Sequence, residues 1–138
     1  ITDTNMALSG INKKSLHALG GEAHCFMSDP DVAAEAKRRG ITRAMVSMEK
    51  AARLSSDNLI FAIGNAPTAL IQLEQLIREH QLAPKLIIGV PVGFVNVVEA
   101  KELILQSGVP CIVARGNKGG SNIAAAICNA LLYQLYRA

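Results

Sequence analysis

Leu59-Ile60-Phe61-Ala62-Ile63-Gly64-Asn65-Ala66-Pro67-Thr68-Ala69-Leu70 carries the plan of the fold. An uncharged apolar run ends at a Gly-Asn turn, and a proline stands where a helix would begin. Uninterrupted hydrophobicity suits a strand buried on both faces of a parallel sheet. Proline is favoured in the first turn of a helix. The same order recurs twice. The run 86–90 leads through Pro91-Val92-Gly93-Phe94 into a helical stretch at 97–106. The run 111–114 leads through Arg115-Gly116-Asn117-Lys118-Gly119-Gly120-Ser121-Asn122 into another at 121–136.

Further strands are expected at 23–27 and, truncated, at 1–3. Ser28-Asp29-Pro30 offers a capping side chain, an acidic charge and a proline to a helix that runs to Gly40. Helices at 42–54 and 67–80 follow, the latter with Leu70, Leu73, Leu76 and Ile77 on one face. Alternation of strand and helix predicts α/β architecture: a Rossmann-like three-layer α/β/α domain with a mostly parallel sheet. Residues 1–138 are expected to form one domain.

Bulk composition narrows the function. The chain has 138 residues, 50% hydrophobic and 18% charged, with a net charge of +3. Mean hydropathy is +0.26. Charges interrupt every apolar stretch well before ~18 residues, so a membrane span is not expected. High apolar content with low net charge excludes disorder. The small positive excess suits an anionic small molecule and is too scattered for nucleic acid. The five aromatic residues form no stacking platform for bases. Cys25, Cys111 and Cys128 fit neither a disulfide framework nor a CxxC site; Cys111 and Cys128 are expected as buried core thiols. The expected setting is cytoplasmic. The chain opens at Ile1-Thr2-Asp3 without an initiator methionine, which leads to the expectation that a preceding segment has been removed.

In open α/β sheets ligands gather beyond the carboxyl ends of the strands, where the three glycine-containing loops lie. Glycine allows close backbone approach, and free amides at a helix start attract anions. Arg115 and Lys118 add charge there, and Arg43 opens a helix straight after Gly40. Ordinary strand–helix turns are the alternative for each loop, as a surface role is for Arg43 and simple packing is for the segment Met6 to Ile11. GxGxxG fails because it needs a glycine at 118, where Lys118 stands, and no P-loop occurs. His17, His24 and His80 lack metal-ligand spacing. His17 and His80 are expected at the surface and His24 in a structural role. Glu99, Glu102 and Asp57 show no acid–base pairing.

These segments resemble a known family. Thr2-Asp3-Thr4-Asn5-Met6-Ala7-Leu8-Ser9-Gly10-Ile11, Gly40-Ile41-Thr42-Arg43, Gly64-Asn65-Ala66-Pro67-Thr68-Ala69-Leu70, Gly89-Val90-Pro91-Val92-Gly93-Phe94-Val95 and the run 115–122 are similar to precorrin-8X methylmutases, and most of all to cobalt-precorrin-8 methylmutases. The resemblance implies an isomerase of cobalamin biosynthesis. It implies that a methyl group moves from C-11 to C-12 of the corrin ring, giving hydrogenobyrinate or cob(II)yrinate. It implies a homodimer without a separate cofactor, acting on precorrin-8X or cobalt-precorrin-8. Arg43 matches a substrate-binding arginine, and Met6, Gly10 and Ile11 match a loop against the macrocycle. Thr42, Asn65, Pro67, Gly93, Phe94, Arg115, Lys118, Gly119, Gly120 and Ser121 complete the implied substrate site. The family's catalytic histidine falls before Ile1, and none of the three histidines here matches it. The chain is thus expected to be a C-terminal portion with little activity alone.

Two other classes stand beside this one. A non-catalytic tetrapyrrole-binding domain would bind corrinoids without turnover, and a nucleotide-binding Rossmann-like module would be stabilised by NAD or ATP. The failed phosphate motifs count against the latter. The apolar positions Ile123, Ile127 and Leu131 are open between core and subunit interface. Gly119→Val is expected to damage the site more than the fold if amide donation matters, and both equally if the loop is purely structural.

Overall fold

A computed structural model describes residues 1–54 and 57–136. The elements follow in the order α1 (Asn5–Gly10), α2 (Lys13–Ala18), α3 (Pro30–Arg39), α4 (Arg43–Ala52), β1 (Ile60–Ile63), α5 (Pro67–Arg78), β2 (Leu86–Gly89), α6 (Val97–Leu105), β3 (Cys111–Val113) and α7 (Ser121–Leu135). Local chemistry sets several boundaries. The hydroxyls of Thr4 and Thr42 and the amide oxygen of Asn12 accept N–H bonds from Ala7, Met45 and Ser15, capping α1, α4 and α2. Gly40 ends α3 in the left-handed conformation, φ 67°. One cap differs from expectation. Asp29 makes no side-chain cap bond to α3, because its carboxylate accepts instead from Lys50 Nζ at 2.6 Å.

The three strands pair in parallel in the order β1-β2-β3, with Ile60 opposite Leu86 and Ile87 opposite Cys111. Period-two alternation divides the two faces. Phe61, Ile63 and Ile87 point to the side of α4, α5 and α6, packing with Met48, Leu70, Leu73, Ala100 and Ile104. Ala62, Ile88 and Val90 point to α7, meeting Ala124, Ile127, Cys128 and Leu131. These faces make the three α/β/α layers. Ile127 and Leu131 therefore pack against the core, whereas Ile123 is more exposed.

Two expected strands shrink to single bridges. Thr2 pairs in parallel with Cys25 on one side and Ala62 on the other, so segments 1–3 and 23–27 continue the sheet beyond β1 without becoming strands. Thr4 caps a helix at once and draws the chain out of the sheet. A turn closed by Asp29 N–H to Phe26 O ends the other segment. β3 also departs from burial on both faces: Ile112 is 37% exposed. α7 crosses over β1 and β2 and leaves the β3 edge uncovered on that side. Cys111 and Cys128 are half-buried at the margins of the two clusters rather than inside them. Burial still pushes the Cys128 thiol above its ordinary range.

Candidate active site

The carboxyl ends of the strands form a rim of four segments tied to one another. The first tie was not foreseen. Beyond β1 the N–H groups of Gly64, Asn65 and Ala66 donate to the Asp3 carboxylate at 2.9, 2.8 and 2.7 Å. α5 has no side-chain cap, and Asp3 instead anchors the turn that leads into it, from 61 residues away. Asp3 is fully buried. Burial raises its pKa, and the three amide bonds oppose that shift without cancelling it. The amides expected to receive a ligand anion in this loop are therefore already engaged by Asp3.

Close backbone approach explains the glycines. A Cβ on Gly64 would lie 2.6 Å from Ser121 Cα, and one on Gly119 would lie 2.0 Å from Val90 O. Val90 O also accepts from Gly120 N–H at 2.9 Å, while Gly93 N–H donates to Asn117 O at 3.0 Å. Thr4 Oγ1 and Ser121 Oγ stand 2.8 Å apart. The α1 entry, the turn after β1, the turn after β2 and the loop before α7 thus form one fused surface.

Behind that surface lies Lys101, a residue the sequence reading passed over. Its side chain is fully buried. Its Nζ donates to the carbonyl oxygens of Ala114, Gly116 and Lys118 at 2.5, 2.7 and 2.9 Å. Burial lowers its pKa from the ordinary lysine value. A signal existed: Val97, Ala100, Lys101 and Ile104 form the buried stripe of α6, and a lysine on an apolar stripe needs a dedicated partner.

The expected site residues spread across this rim unevenly. Thr42 caps α4, and its hydroxyl is 3.0 Å from that of Thr68 in the first turn of α5. That contact sets the exposed Arg43 beside the turn after β1, with no ion-pair partner among the described residues. Met6 is 71% and Phe94 87% exposed, apolar groups presented to solvent at two of the rim segments. Ile11 is buried. Gly10 is a packing glycine, since a Cβ there would lie 2.8 Å from Ala125 Cβ. The Asn65 side chain is exposed and Pro67 is half-buried. Arg115 is exposed and reaches Glu102 on α6 at 3.4 Å. Lys118 is exposed, and Gly120 is buried in the joint with Val90.

No histidine lies in these ties. His17 and His80 are exposed. His24 stacks on Phe26 with ring centroids 6.0 Å apart and contacts Glu22 at 3.0 Å. No group of three metal-ligating side chains occurs among the described residues. A broad depression of about 1440 Å³ lies at the opposite end of the sheet, beside Leu59, Lys85 and Pro110 just before the strands begin. It holds none of the fused loops.

The model of the precorrin-8X methylmutase family, CbiC, matches residues 1–134. This chain belongs to that family. It is 50% identical over 137 residues to the cobalt-precorrin-8 methylmutase of Salmonella typhimurium, covering 99% of this chain and 63% of that protein. The enzyme of the same name from Leptospira interrogans is 48% identical over 142 residues, again with 63% of its length covered. The structure of precorrin-8X methylmutase from Thermus thermophilus superposes with a TM-score of 0.84 at 37% identity, covering 96% of this chain and 64% of that one. The chain spans less than two thirds of the length of these relatives. Among the described residues no helix is long and apolar enough to cross a membrane.

Proposed function

We propose that this chain forms the substrate-binding α/β domain, residues 1–138, of a cobalt-precorrin-8 methylmutase. The reaction is an isomerisation in cobalamin biosynthesis: a methyl group leaves C-11 of the macrocycle and bonds to C-12, with no atom gained or lost. The observation that carries this reading is the family match over residues 1–134, together with exposed cations and apolar groups on one rim.

A precorrin is a broad apolar ring edged with carboxylate arms. Met6 and Phe94 offer apolar contact, while Arg43, Arg115 and Lys118 are the cations for the arms. Arg43 is the strongest candidate because, unlike Arg115, it has no competing carboxylate among the described residues. Thr42, Asn65, Pro67 and Gly93 to Phe94 frame the approach. Gly10, Ile11, Gly119, Gly120 and Ser121 serve by holding the segments together. None of the three histidines is proposed as the proton donor for the migration. The working form is proposed to be a cytoplasmic homodimer.

The test is conversion of cobalt-precorrin-8 to cob(II)yrinate by the complete protein, followed by visible absorbance. Conversion that falls with Arg43→Ala supports the reading. Corrinoid binding without any turnover would instead make the protein a tetrapyrrole carrier.

A further inference from the structure

The side of the glycine-rich loop that faces Lys101 also determines what its other side can do. In a trans peptide unit the carbonyl and the following N–H point in opposite directions, and no cis peptide bond occurs among the described residues. The carbonyls of Ala114, Gly116 and Lys118 all turn toward Lys101 Nζ. The N–H groups of Arg115, Asn117 and Gly119 therefore face away from it. None of the three has a hydrogen-bond partner among the described residues. Arg115 and Asn117 are exposed, and Gly119 is half-buried.

We infer that Lys101 is a positioning residue, whose buried ammonium holds three peptide units of the loop so that the Arg115, Asn117 and Gly119 amides receive a carboxylate arm of the substrate. This rests on the proposed function for the identity of the substrate. Several outward N–H groups along one loop offer an anion more than one donor, as backbone amides do in other anion-binding turns. A buried cation behind them adds to their pull on an anion, because the surroundings screen it less than water would. No carboxylate pairs with Lys101 among the described residues, so its charge is not cancelled locally. The exposed side chains of Arg115 and Lys118 add to the same field.

The experiment uses the complete protein, with cobyrinic acid as the binding probe and cobalt-precorrin-8 for turnover. Lys101→Met keeps an unbranched side chain one atom shorter and removes the charge. It is expected to raise the Kd for cobyrinic acid, and the KM, by roughly ten- to a hundredfold, with kcat much less affected. In Lys101→Ala, added butylammonium is expected to restore affinity while butanol, which fills the same space without charge, is not. Unchanged affinity in a folded Lys101→Met protein would overturn the inference. So would equal rescue by butanol, or failure of both variants to fold, since each makes Lys101 a purely structural residue. If the unmutated protein neither binds cobyrinic acid nor turns over substrate, the functional reading fails instead.

Discussion

The carboxylate of Asp3 accepts the N–H of Gly64 at 2.9 Å, with both groups buried, and so joins the start of the chain to the turn after β1. Removing it orphans three amides. Asp3→Ala is expected to cost about 1–3 kcal/mol for each amide left buried and unpaired, read as a drop in melting temperature. The pH dependence has a definite sign. Burial raises the Asp3 pKa above its ordinary 3.8, so the folded state holds this proton more tightly than the unfolded chain. The contribution is complete below the ordinary value and is lost as pH rises through the raised one. The stability of the unmutated protein relative to Asp3→Asn, which does not titrate, should therefore shrink as the pH rises from the ordinary carboxylate value through the raised one. A difference that grows over that window would mean the three amide bonds outweigh burial.

Gly119 and Gly116 separate two kinds of glycine in one loop. A Cβ on Gly119 would stand 2.0 Å from Val90 O. Gly119→Val should thus unfold the joint between two rim segments and cost at least about 4 kcal/mol. Of the two sequence-based expectations, this close approach favours the structural one. Gly116 has φ 90° and open space around its Cβ. Gly116→Ala should cost only about 1–2 kcal/mol of backbone strain. Thermal denaturation of the two variants, side by side, checks the contrast.

Much of the architecture was readable from local signals. The stretch 59–70 showed a strand, a turn and a proline-started helix within twelve residues, and the elements β1 and α5 lie there. The continuations at 1–3 and 23–27 were overread, because apolar composition does not reveal that Thr4 caps a helix immediately after the bridge. Of the site, the glycine loops and Arg43 were visible, since turns and helix starts are written in adjacent residues. The partnership of Asp3 with residues 64–66 was not. It spans 61 positions, and a lone aspartate near a strand carries no mark of its partner. Asn129 is similar: it accepts from Asn12 N–H and donates to Gly10 O, fastening α1 and α2 to α7 across nearly the whole chain.

Gly10 was read as part of a ligand loop, and its packing suggests a different test. Its missing Cβ makes room for Ala125 on α7. Gly10→Ala should press α1 off α7 and destabilise the fold by about 1–3 kcal/mol. Adding Ala125→Gly removes the opposing methyl group and should recover part of that loss, a coupling that a double-mutant cycle measures. Independent effects would contradict the contact.

The central claim is that the rim receives a polycarboxylate macrocycle through Arg43, and a visible-absorbance titration of the complete protein with hydrogenobyrinic or cobyrinic acid tests it most directly. The account predicts a saturable spectral shift, weakened by about 1.5–3 kcal/mol in Arg43→Ala with no change in melting temperature. The absence of any shift in the unmutated protein, or equal affinity in the two, would contradict it.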